Sequence, residues 1–158
     1  MSSELVGKAR CFAQQAHEGQ FRRDGITPYI THPKNVVDRL EIMLSCMTEE
    51  RKSIFLAVGW LHDVLEDPHA TEASIQIYGI PNDVITEIKI LSKTKNETYS
   101  DYIESISKSA VATMVKICDM ESNLADSPTN RQVTKYIRSI AFLKSHSVFR
   151  VCESSRRK

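Results

Sequence analysis

Three carboxylates and a histidine close an otherwise apolar run, SIFLAVGWLHDVLED, residues 53–67. Ile54, Phe55, Leu56, Ala57, Val58, Trp60, Leu61, Val64 and Leu65 cover nearly every face of a helix, so the pattern predicts a helix that runs through a core. Side chains four apart on a helix lie one above the other. A helix continued to residue 67 would therefore stack His62 on Glu66 and Asp63 on Asp67. Acids in a core carry a heavy desolvation cost unless a cation accompanies them. The expected cation is a divalent metal.

Helical periodicity dominates the rest of the chain and no alternating strand run stands out, which predicts an all-α, compact single-domain bundle over residues 1–158, with 153–158 frayed. The expected helices are 3–18, 34–46, the central one capped by Thr48, 71–78, 82–92, 98–108, 110–125 and 130–148. Leu5, Ala9, Phe12, Ala13 and Ala16 would face inward from the first. Val36, Val37, Leu40 and Leu44 would do so from the second, and Val133, Tyr136, Ile137, Ile140 and Leu143 from the last. Pro68 should stop the central helix, because the residue before a proline is pushed out of helical geometry. Gly25, Pro28 and Pro33 make GQFRRDGITPYITHP a loop, and SKTKNETYSD is the best candidate for a mobile one.

Composition excludes several classes. A net charge of +1 supplies no field drawing the chain to nucleic acid. No apolar run approaches the roughly 20 residues of a membrane span, and MSSELVGKAR lacks the apolar core of a signal peptide. Cys11, Cys46, Cys118 and Cys152 form no C-x-x-C pair and read as reduced thiols, so the chain is expected to be cytoplasmic.

A metal needs more than the His62–Asp63 corner. His32, where PYITHP enters the second helix, and Asp119, in VKICDMESNL, are further candidates. Two imidazoles and two carboxylates without thiolate suit manganese, iron or zinc, with open positions for catalysis.

The ordered blocks His17-Glu-Gly-Gln20-Phe-Arg22, Pro28-Tyr29-Ile-Thr-His32-Pro33, Leu61-His62-Asp63-Val-Leu-Glu66-Asp67 and Lys116-Ile-Cys-Asp119-Met-Glu-Ser-Asn123 resemble the hydrolase domain of RelA/SpoT-type alarmone enzymes, HD-domain metal phosphohydrolases. The similarity runs from about residue 9 to 145, with no room for the family's synthetase domain, so the resemblance implies a stand-alone small alarmone hydrolase. It implies His32, His62, Asp63 and Asp119 as metal ligands, for Mn²⁺ in the first place with Zn²⁺ or Fe²⁺ possible, and Glu66 and Asp67 as the catalytic acids. Arg22, Arg23, Lys116, Asn123 and Tyr136 would contact a small-molecule nucleotide. The implied reaction removes the 3′-pyrophosphate of guanosine tetra- or pentaphosphate. Alternatives are the same chemistry on an adenosine alarmone or on the 2′-phosphate of NADPH, or a non-catalytic nucleotide-binding regulator. Oligomeric state is left open by the sequence.

Two places in the chain depart from the family pattern. Met120, Glu121 and Ser122 stand where a basic residue and a His or Asp are common, and Gln132, beside Arg131, stands where an arginine is common. The first departure would add negative charge near the site. Among the remaining candidates, His17 is expected to be structural or supporting, His69 and His146 to be solvated or packing, and Cys118 to be small and buried. Lys93 and Lys95 could be surface charges or a phosphate-facing lid.

Overall fold

The computed structural model describes residues 2–146, so Cys152 and the 153–158 tail lie outside the described residues, as do the last two positions of the helix expected to reach 148. The described residues form α1 (Ser2–Ala16), α2 (Thr31–Met43), α3 (Glu49–Leu61), α4 (Glu72–Ile77), α5 (Asn82–Leu91), α6 (Tyr99–Ser107), α7 (Ala110–Leu124) and α8 (Asn130–His146), with one 3₁₀ turn at Val64–Glu66. There is no strand among them, only an isolated bridge between Phe21 and Pro28. The architecture is an all-α bundle. No helix among the described residues is long and apolar enough to cross a membrane.

α3 is the axis. α1, α2, α5 and α7 all pack on it, while α8 closes over α6 and α7. Seven consecutive α3 residues, Phe55 to Leu61, are buried, as an all-round apolar helix requires. Gly59 lets α2 come close: a Cβ there would sit 2.7 Å from Leu40 Cδ1 and 3.1 Å from Val37 Cγ2. Val36, Val37, Leu40 and Leu44 are buried as the pattern predicts, and so are Ala9, Phe12 and Ala13 of α1. α8 differs in one respect. Its buried positions are Ser139 and Leu143, and Ile137 is exposed. The inward stripe runs through 136, 139, 140 and 143, and 137 falls one step off it.

Thr48 stands at the N-cap of α3, as expected, with extended backbone but without a side-chain capping hydrogen bond. One further expectation is corrected. α3 ends at Leu61 instead of continuing to Asp67. His62 Nδ1 takes the Gly59 carbonyl at 2.8 Å, the acceptor that the next helical turn would have used. The chain then tightens into the 3₁₀ turn, and Asp67 is extended (φ −79°, ψ 126°) ahead of Pro68. The i,i+4 stacking of His62 on Glu66 and of Asp63 on Asp67 therefore does not exist.

Candidate metal centre

Three elements deliver the ligands. His32 sits in the first turn of α2, one turn earlier than the loop assignment predicted; His62 and Asp63 lie at the end of α3, and Asp119 near the end of α7. The four are separated by up to 87 positions in sequence yet all are buried. His32, His62 and Asp119 each offer one ligand atom, and these atoms lie within 4.8 Å of one another. His32 Nε2 is 3.0 Å from Asp119 Oδ1, and His62 Nε2 is 3.8 Å from the same oxygen. Asp63 stands at the edge of this triad, its Oδ2 3.7 Å from His62 Nε2.

The orientation of these groups is set from outside. His62 Nδ1 donates to Gly59 O, which turns its Nε2 toward the carboxylates. Asp119 Oδ2 accepts from Lys116 Nζ at 2.9 Å, and Asp119 Oδ1 accepts from Asn123 Nδ2 at 2.7 Å. Burial alone would raise the Asp119 pKa, but Lys116 and the two imidazoles hold it well below the usual carboxylate range. Burial likewise opposes ionisation of Asp63, and the charge of His62 and the hydrogen bond from His17 overcome it, so its pKa is lowered. Two nitrogens and a carboxylate, ionised and converging in a buried corner, form a metal-binding triad suited to a divalent cation. Cys118 does not join it. Its thiol meets Met43 Sδ at 3.4 Å, and burial pushes its pKa up to about 12.

Behind Asp63 lies a hydrogen-bonded group that the sequence signals only through the spacing of the first two motifs. Tyr29 Oη donates to Asp63 Oδ2 at 2.8 Å, and His17 Nε2 faces Asp63 Oδ1 at 3.2 Å. Gln20 donates from Nε2 to Asp67 Oδ2 (2.6 Å) and to the Ala16 carbonyl (3.2 Å), so its Oε1 must be what faces His17 Nδ1 at 3.0 Å. Both ring nitrogens of His17 thus meet acceptors. Burial would lower its pKa, yet the hydrogen bond and charge of Asp63 raise it. His17 is a supporting residue, as expected, and Tyr29 is the supporting residue that the reading of the motifs missed.

The triad opens into a cavity of about 440 Å³. Its wall includes the expected substrate contacts Arg22, Arg23, Lys116, Asn123 and Tyr136, together with Asp63, Glu66 and an exposed aromatic, Phe21. Lys93 and Lys95 are not part of it. Glu66 reaches solvent at the mouth, while burial of its carboxyl and the nearby charge of Asp63 raise its pKa. Asp67 points away, toward Gln20 and the backbone N–H of His69 (2.8 Å). Of the two acids expected to act as a pair, only Glu66 lines this cavity, and the two share the wall of an adjoining one with His17, Gln20, Tyr29 and Asp63.

The departures at 120–122 leave the cavity's charge intact. Met120 is fully buried, Ser122 Oγ is 3.4 Å from His32 Nδ1, and Glu121 turns outward to Arg39 (3.8 Å) and Lys144 (3.7 Å). Gln132 accepts from Arg23 Nη1 at 2.9 Å. His69 is exposed, and His146 is exposed and stacks on Phe142 with ring centroids 4.4 Å apart.

No protein-family model matches the chain. It is 30% identical over 122 residues to the guanosine-3′,5′-bis(diphosphate) 3′-pyrophosphohydrolase of Haemophilus influenzae, a match over 71% of this chain and 17% of that protein. A probable enzyme of the same name in Mycoplasma genitalium is 32% identical over 95 residues, 60% of this chain and 12% of that protein. The GTP pyrophosphokinase of Myxococcus xanthus is 32% identical over 77 residues, 48% of this chain and 9% of that protein. The chain spans less than a fifth of the length of these relatives. Among solved structures, a metazoan orthologue of SpoT, described as hydrolysing ppGpp and acting in starvation responses, shares the fold with a TM-score of 0.72 and 24% identity over 91% of this chain and 88% of that one.

Proposed function

The chain is related to the RelA/SpoT-type enzymes, and from that premise we propose that it is a Mn²⁺-dependent HD-domain phosphohydrolase that removes the 3′-pyrophosphate of guanosine tetra- or pentaphosphate. The observation that carries the proposal is convergence: a buried His–His–Asp triad and five expected substrate contacts, from separated segments, line one cavity. His32, His62 and Asp119 would hold the metal, with Asp63 as the fourth ligand. A divalent cation there supplies Lewis-acid stabilisation of phosphoryl charge and makes a water more acidic.

The chain's own residues do the rest. Glu66 faces the cavity with a raised pKa, which suits a group that accepts a proton from the attacking water. Water attacks the phosphorus bonded to the nucleoside 3′ oxygen, that P–O bond breaks, and the nucleoside oxygen leaves with a proton. Arg22, Arg23 and Lys116 offset the phosphate charge, where electrostatic positioning supplies most of the catalysis. Asn123 and Tyr136 flank the same space and would contact the nucleoside. In this reading Asp67 shares the acid chemistry only by fixing the turn that presents Glu66, through its bond to Gln20.

The test is a nucleotide panel with Mn²⁺: ppGpp, pppGpp, an adenosine counterpart and NADPH, assayed for pyrophosphate and orthophosphate separately. Pyrophosphate release from ppGpp, lost by several orders of magnitude in Glu66→Ala with the cation still bound, is the expected result. Orthophosphate release alone, with ppGpp untouched, would move the substrate to NADPH. Undiminished turnover by Glu66→Ala would remove its role.

A further inference from the structure

Arg22 lines the cavity but arrives there already paired. Asp126, in the turn between α7 and α8, accepts from Arg22 Nε at 3.0 Å and from Nη2 at 2.5 Å, both on Oδ2. The same Nη2 donates to Asn123 Oδ1 at 3.4 Å, and Asn123 in turn donates to Asp119. Arg23, one residue on, is tied to Gln132 at the start of α8. The loop between α1 and α2 is thus fastened across the cavity wall to the α7–α8 corner at two adjacent guanidinium groups. The corner is itself unusual, since Ser127 adopts a left-handed backbone with φ 45°.

The two partners of this pair differ in solvation. The Arg22 side chain is 14% exposed and that of Asp126 is 50% exposed. Asp126 does not line the cavity. Lys116, the other cation with a carboxylate partner on this wall, is bound to the buried Asp119 of the metal triad, so its partner cannot leave. Asp126 can: released from Arg22 it is rehydrated with little loss, whereas a guanidinium left unpaired at the cavity wall needs a new anion.

We propose that Asp126 sets the affinity and the selectivity of the cavity for anions. Its carboxylate competes with a substrate phosphate for the Nε–Nη2 edge of Arg22, the edge that matches an oxyanion bidentately. An anion with several charges displaces it; a singly charged one gains too little to do so. The inference rests on the reading of the cavity as a phosphate site. Asp126 is a selectivity-setting residue that touches no reacting atom and acts through Arg22.

Asp126→Asn keeps the shape and removes the competing charge. Binding of inorganic pyrophosphate to the Mn²⁺-loaded protein, followed by calorimetry, should tighten about 1.4- to fivefold, the range over which a half-exposed ion pair acts. KM for the nucleotide should fall with it, and the salt dependence should steepen. Orthophosphate should gain at least as much, narrowing its disadvantage. In an Arg22→Ala background the same substitution should change nothing, which isolates the pair. Asp126→Ala serves if the Asn variant does not fold. A wild type that binds pyrophosphate while Asp126→Asn binds it equally or more weakly overturns the competition and makes the pair a structural strut. A gain that persists without Arg22 overturns it too. A wild type that binds neither pyrophosphate nor nucleotide overturns the phosphate reading and takes this inference with it.

Discussion

Removing one oxygen, in Tyr29→Phe, asks how far the cation depends on Asp63. Tyr29 Oη donates to Asp63 Oδ2 at 2.8 Å, and the phenol cannot drift into ionisation because burial and the neighbouring carboxylate raise its pKa. A hydrogen bond to a charged acceptor contributes about 1.5–3 kcal/mol. Independently, groups that orient a metal ligand from behind are worth roughly 10- to 100-fold in metal affinity. At about 1.4 kcal/mol per tenfold, the two figures coincide. Asp63 Oδ1 keeps its bond from His17, so the carboxylate loses one anchor and stays paired at the other. The variant should therefore fold, and its Mn²⁺ dissociation constant, measured by titration calorimetry, should rise about 10- to 100-fold. A dissociation constant within about twofold of wild type, which is under 0.5 kcal/mol, would mean that the cation does not use Asp63.

Three more outcomes follow from the same geometry. Gly59→Val should cost about 1–3 kcal/mol through overpacking against Leu40 and Val37, a drop in Tm of roughly 2–12 °C; a variant as stable as wild type by thermal melt would show that α2 and α3 separate freely. Mn²⁺ at about 100 times its dissociation constant should add about 2.7 kcal/mol, or roughly 5–11 °C in Tm, an effect that Glu66→Ala retains and Asp63→Ala loses; no shift in wild type would dispose of the metal triad. His17, whose pKa burial lowers but Asp63 raises on balance, stabilises the metal-free protein fully below about pH 6.5, and that contribution fades as pH rises through its elevated folded value. The gap in urea midpoint between wild type and His17→Gln should therefore narrow above pH 6.5, and a gap that widens with pH would reverse the assignment.

Residues 53–61 carried enough information to be read correctly, because an apolar helix with no polar face can only be a central one. The inward faces of α1 and α2 were likewise written in their spacing. Ile137 faces solvent, since a pattern that allows both 136 and 137 inward cannot choose between them until a neighbour does. The metal-ligand types were legible as chemistry, but their meeting was not: His32 and Asp119 are 87 positions apart and touch at 3.0 Å only because α2 and α7 pack side by side.

The sequence by itself determined an all-helical chain and the acid and imidazole groups that a buried cation needs, because apolar periodicity and ligand chemistry are local properties. Tertiary structure decided which carboxylate of the Glu66–Asp67 pair faces the cavity and which partners hold Arg22 and Asp63. The first of these hinges on where α3 stops, and it stops where His62 takes the Gly59 carbonyl, a competition between two hydrogen-bond donors that no pattern of residue types records; the partners of Arg22 come from the meeting of the α1–α2 loop with the α7–α8 corner.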